Sequence, residues 1–279
     1  MAPFEVSRRD VLQRSAGTLG SFGFGASLLG GGDDPFSNPC PDMTLEPDME
    51  HYNGHGMGGC ADDHPETEAI KEAVTESLGT NYATVGALIE DGYIPYFDFL
   101  ADEGESTWSH WLNPEYIRDD GVIDPQRPES ILVDHRWWRP IGVMFIATRD
   151  GNRIEPPPAV YGGDDSETDP CLPWHAHTGA PGVASWKKYW LVHSNPSFSE
   201  ILNPPCRTPW VMHVWAYPHP KSVFAHGAPP PENRGGPPAE DPGFETDAVP
   251  GEDPLSPEVG RVAKRSRLCR WYSQLRGHS

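Results

Sequence analysis

Prolines and glycines set the first limit on what this chain can fold into. With 32 of one and 29 of the other among 279 residues, long stretches can be neither helix nor strand. Regular structure must therefore be short and concentrated. Most of the ten Trp, nine Tyr and ten Phe lie between about residues 82 and 224, and a core able to offset the entropy of ordering has to form there. One compact domain with loose ends follows.

The charge is lopsided. The chain carries 41 acidic against 21 basic side chains, a formal net charge of −20. A surface of that sign repels nucleic acid, which removes that partner class. Dense carboxylates also retain hydration in brine, where salt screens their repulsion within a few ångströms, so the composition points to a salt-adapted organism. No run approaches 18 uninterrupted apolar residues, the length a spanning helix needs.

Ser7-Arg8-Arg9-Asp10-Val11-Leu12 followed by the weakly apolar, glycine-rich stretch 19–32 resembles a twin-arginine export signal. The expected partner is the twin-arginine translocase, the expected location extracytoplasmic, secreted or at the cell surface. Five cysteines in an exported chain favour disulfides. The flanking positions suggest Cys171 with Cys206 and Cys40 with Cys60, leaving Cys269 over.

Five segments are expected: a signal at 1–32, a mobile linker at 33–62, a His- and Trp-rich globular domain at 63–226, a disordered Pro-, Gly- and acid-rich linker at 227–257, and a basic tail at 258–279. Pro65, with Glu66 and Glu68 behind it and Gly79 as a stop, predicts a first helix whose stripe is Ile70, Val74 and Leu78. A second, short one is predicted over 82–89. From Tyr93 the signals change to short β-branched and aromatic runs, predicting strands at 131–134, 141–148, 174–177, 189–193 and 211–217. Asp150-Gly151-Asn152 marks a hairpin. The fold class is mainly β, an antiparallel barrel or sandwich with a short helical N-terminal prelude and disordered tails. In the basic tail Arg261, Lys264, Arg265, Arg267, Arg270 and Arg276 are interspersed with apolar residues, a pattern for an amphipathic helix docking on the acidic body or on an anionic membrane surface, or for a solvated tail.

Chemistry is concentrated in histidines. In Pro173-Trp174-His175-Ala176-His177 strand alternation turns both imidazoles to one face, close enough to share a metal ion. His213 in Trp210-Val211-Met212-His213-Val214-Trp215 adds a third from another strand, and His110 is the fourth candidate. Three histidines and a water leave an open, reactive position; four close the site. Imidazole suits Zn, Fe, Mn, Cu or Ni, and spacing does not choose among them. The opposing reading is core histidines satisfied by hydrogen bonds beside tryptophans.

His51, His55, Met57, Cys60 and His64 offer soft ligands to copper, but in glycine-rich chain outside the expected core they read as incidental loop residues. The acidic run 164–169 has the composition of a calcium loop without its spacing. No Gly-x-Ser-x-Gly elbow, phosphate loop, Cys-x-x-Cys or His-Glu-x-x-His motif occurs, so hydrolase and nucleotide chemistry lack a handle.

The strings His110-Trp111-Leu112-Asn113-Pro114, Ile123-Asp124-Pro125, Arg127-Pro128-Glu129, the Trp174-His175-Ala176-His177 motif and the stretch 207–225 resemble an uncharacterised family of exported haloarchaeal and bacterial proteins. The similarity covers roughly residues 83–227. It implies that His110, His175, His177, His213 and the Asn113-Pro114 pair recur, and it implies no reaction. At His219-Pro220 this chain departs from the family's Asn-Pro. The functional expectation is an exported protein of a halophile binding a divalent transition metal through a strand-borne histidine cluster. The alternatives are a cupin-like metal-dependent enzyme acting on a small molecule and a cell-surface interaction module.

Overall fold

The computed structural model describes residues 40, 43–52, 60–96, 107–162, 169–193, 206–256 and 259. Arg8 and Arg9, the expected signal, and the tail beyond 259 lie outside them, as do Cys269, His55, Met57 and most of the acidic run 164–169.

The β-branched runs form strands, as their alternation demands. In chain order these are β1 Met49–His51, β2 Ile94–Tyr96, β3 Trp108–Leu112, β4 Ser130–Asp134, β5 Arg139–Ile146, β6 Thr148–Arg149, β7 Asn152–Arg153, β8 His175–His177 and β9 Val211–Trp215. Seven of them make one antiparallel sheet in the order β1-β8-β9-β5-β4-β3-β2. The protein is mainly β and sandwich-like. The sheet is open, with β1 and β2 at its edges, so the barrel alternative is set aside among the described residues. β6 and β7 form a separate hairpin at the expected turn, where Asp150 and Gly151 both take positive φ, 52° and 77°.

Every residue of β4 and β9 is buried, because both faces of the sheet are covered. One face packs Trp111, Ile131, Val133, Val143, Phe145 and Val214 against Val74, Leu78, Val85 and Leu88 of two helices. These are α1 Pro65–Thr80 and α2 Val85–Asp91. The first begins as expected: Pro65 occupies the first turn, and the Nδ1 of His64 caps it by accepting from the Glu66 N–H at 3.2 Å. It runs past Gly79 to Thr80. In α2 the Thr84 hydroxyl caps the start and Gly92, at φ 102°, the end. The other face carries Leu112, Leu132, Met144, Ile146, Val211 and Trp215, and with them the histidines.

Four expectations are corrected. Residues 189–193 are the last turns of a third helix, α3 Ala180–His193, not a strand. A short apolar run is ambiguous by periodicity, and the helical chain before it decides. The expected linker at 33–62 supplies the edge strand β1 and a buried Cys40.

The cysteine pairs are crossed relative to expectation, Cys40–Cys206 and Cys60–Cys171. Because β1 runs antiparallel to β8, the chain after β1 meets the chain before β8, which brings Cys60 to Cys171. Cys40 and Cys206 meet at the opposite end by the same logic.

Finally, much of 227–257 is packed rather than disordered. It forms almost no regular structure, yet Ala239, Gly251 and Leu255 donate backbone hydrogen bonds to Trp137, Arg136 and His135 at 2.8–2.9 Å. Leu255 is buried. A Cβ on Gly86 would lie 2.0 Å from the Gly243 carbonyl oxygen, so only glycine lets this strap approach α2. Too poor in apolar residues to fold alone, the segment uses the body's donors and acceptors.

Buried Arg234 anchors the strap: its Nη1 lies 3.1 Å from Asp134 Oδ2, with the two side chains 7% and 3% exposed. Removing one partner leaves a buried charge uncompensated. Arg234→Met should lower unfolding free energy by about 3–5 kcal/mol in urea titration and open 235–256 to limited proteolysis; unchanged values in both would contradict the anchoring.

Candidate metal centre

Strand register assembles the site. His175 and His177 alternate onto one face of β8 while Ala176 enters the opposite core. His175 pairs with Val211 across β8 and β9, so His213, two residues on, shares that face. Met144 of β5 pairs with His213, and Leu132 of β4 with His110 of β3, which carries the same face to His110. On the other side His51 of β1 pairs with His175. Five histidines from four strands thus face the same way.

A sixth joins from above. After β9 the chain doubles back, with the Trp215 N–H donating to the Val223 carbonyl at 3.0 Å and the Trp215 indole to the Ala225 carbonyl at 2.6 Å. His226 then sits with its ring centre 4.8 Å from His175, 5.4 Å from His177 and 5.6 Å from His213. Sequence reasoning passed over His226 because no spacing rule marks a residue in irregular chain. Its one local signal is that it follows the strand that carries the candidate ligand His213.

Among the described residues, His175, His177 and His226 form the group that could hold one ion: each offers a nitrogen, and these atoms all lie within 4.8 Å of one another. An ion about 2.0–2.1 Å from an imidazole nitrogen is about 3.2 Å from the ring centre, and tetrahedral ligands then have ring centres about 5.2 Å apart. The three observed separations, 4.8, 5.4 and 5.6 Å, bracket that value. The Nε2 of His175 is buried without a hydrogen-bond partner among the described residues, a cost that a coordinated ion would remove. Gly182 of α3 lets the helix start close to His177, since a Cβ there would come within 2.8 Å of the His177 Cβ.

The other two expected ligands stand behind this group. His213 Nδ1 lies 2.7 Å from the His226 carbonyl oxygen. A carbonyl only accepts, so Nδ1 carries the proton and the neutral ring presents a bare Nε2. The Nε2 of His110, 3.3 Å away, donates to it. His110 and His213 therefore form a relay that ends on the backbone of His226 and orients that residue.

Burial and mutual repulsion keep these rings neutral. Desolvation, then His177 and His226, push the His110 pKa down to about 3. Desolvation first and neighbouring histidines second hold His175 and His213 well below the usual imidazole value. The neutral form is the one that ligates metal.

An open cleft of about 540 Å³ reaches the group, bordered by His51, His175 and His226. His51 lies at its edge, 6.3 Å from His175 between ring centres. His219 is structural: its Nδ1 accepts from the Lys221 N–H at 3.0 Å. The soft-ligand cluster is not assembled among the described residues, for Cys60 is bound in a disulfide and His64 caps α1 and stacks on Tyr161. Asn113 is also structural, bridging the Asp91 carbonyl and the Glu115 N–H.

No family model, curated protein or solved structure matches the chain.

The depressed values make stability pH-dependent with a definite sign. In metal-free protein these histidines bind protons more readily when unfolded, near pH 6.5, than when folded. Their contribution is full above about pH 6.5 and is lost as pH falls below it, for His110 down to about pH 3, at up to about 1.4 kcal/mol per pH unit for each ring. Urea midpoints should therefore fall from pH 7 to pH 5, and His110→Gln should flatten that slope; a midpoint constant over this range would refute the buried, neutral assignment.

Proposed function

We propose that this is an exported protein of a salt-adapted organism that binds a divalent transition metal through His175, His177 and His226. The carrying observation is the convergence of those three nitrogens within 4.8 Å. The orphaned His175 Nε2 beside them supports the same reading. An all-imidazole set favours Zn, Cu, Fe or Ni over the oxygen-seeking Mg and Ca. Two disulfides fit an oxidising, extracytoplasmic compartment, and no described helix is long and apolar enough to cross a membrane. The Arg8-Arg9 pattern supports the twin-arginine route.

A metal-dependent enzyme is the second reading, and the cleft favours it. Three protein ligands leave a coordination position, and this one would open on a space able to admit a small molecule. The open sheet lends no support to a cupin-type barrel. The interaction-module alternative wanted an exposed aromatic strip, whereas Trp111, Trp138, Trp174, Trp210 and Trp215 are buried.

Elemental analysis of purified, zinc-supplemented protein should find about one equivalent of metal, the usual occupancy of a three-histidine site. The triple variant His175→Ala, His177→Ala, His226→Ala should hold none. His213→Ala should retain metal but bind it about 10–100-fold more weakly, as an orienting residue does. A wild-type protein with near-zero metal rejects the proposal, and His213→Ala losing all metal would make His213 a ligand.

A further inference from the structure

The cleft that reaches His175 and His226 has a composition unlike the chain around it. His51, His175, His226 and Lys221 line it together with apolar Met49, Pro220 and Ala228, and no Asp or Glu is among its described lining residues. This is a chain with 41 acidic and 21 basic side chains. The exclusion has structural causes. On β1, Met49 and His51 stand opposite His177 and His175, while the intervening Glu50 stands opposite Ala176 and takes the other direction. Asp62 reaches the loop that carries Lys221, but its carboxylate accepts from the Ser222 hydroxyl at 2.8 Å and the Val223 N–H at 3.1 Å. The Lys221 backbone is held in turn by His219 Nδ1 at 3.0 Å, which sets the base of the lysine side chain.

With an ion on the imidazoles, the cleft would hold a metal cation and an ammonium with no carboxylate among its described lining residues, beside apolar side chains. We propose that it binds a small organic carboxylate, the oxygens taken by the ion's open position and Lys221 and the hydrocarbon part by Met49, Pro220 and Ala228. This rests on the metal site proposed above. The volume, about 540 Å³, falls within the roughly 300–1,000 Å³ usual for small-molecule sites. An inorganic anion would satisfy the charges and leave the apolar side chains unused. In a protein whose surface repels anions, a local cationic patch also concentrates them where they bind.

The test uses full-length protein loaded with cobalt(II), whose visible absorption reports its coordination, at constant high salt. Metal analysis first establishes loading. Titration with propionate should then change the cobalt spectrum saturably, whereas neutral propionamide and sulfate should not. Lys221→Gln, on the surface and outside the ligand set, should load cobalt normally and bind propionate about 10-fold or more weakly, as loss of a charge-assisted contact implies. If cobalt loads but propionate leaves the spectrum unchanged, or if sulfate or Lys221→Gln behaves like the reference case, the carboxylate inference is overturned and the metal site stands. Failure of cobalt to load overturns both.

Discussion

Antiparallel pairing of three short strands, β1, β8 and β9, is the constraint on which the rest of the molecule depends. His175 is their meeting point: it lies opposite His51 on one side and Val211 on the other. A slip of one residue would turn His175 and His177 into the opposite core and Ala176 out of it. The same pairing decides the disulfides, because it determines which ends of the chain lie side by side. Cys60–Cys171 and Cys40–Cys206 in turn tie the loops on either side of that pairing. Register, covalent links and candidate ligands are therefore one arrangement rather than three.

Collecting imidazoles in this way has an electrostatic consequence. Rings within about 6 Å of one another and shielded from water cannot all be charged, so each favours its neighbour's neutral form. Neutral rings retain lone pairs, and a cluster of lone pairs is a poor neighbour to itself unless protons or a cation stand between them. The His110 to His213 to His226 relay uses protons for that purpose. At His175, where Nε2 has no partner among the described residues, a coordinated metal ion would meet the need. The acidic exterior plays no direct part, since no carboxylate belongs to the three-histidine group.

Irregular chain does as much to complete the site as the sheet does. The segment after β9 brings His226 over the strand-borne rings, and the strap beyond it, anchored by Arg234 on Asp134, covers the body around Trp138. Pro and Gly are no bar to order here. They prevent regular structure while leaving the N–H groups of neighbouring residues such as Ala239 and Leu255 free to donate to the carbonyls at 135–137.

Much was legible in the residues alone where the physics is local. Alternation placed strands at 131–134 and 211–217 and turned His175 and His177 to one side; Pro65 and the acids behind it marked a helix start; Asp150-Gly151 marked a hairpin. Cysteine count indicated two bridges, and glycine and proline content bounded the regular structure. What the local pattern could not carry was anything requiring two distant segments to be neighbours. The run 189–193 reads equally as strand or helix until its helical lead-in is known. Cysteine partners follow from strand order, which no spacing encodes. His226 entered the candidate site, and His110 with His213 moved behind it, only when the chain's return over β9 set the distances. Side-chain direction along one strand is a property of the backbone's twofold period, whereas convergence of separate strands and loops is a property of packing, and packing alone decided which imidazoles meet.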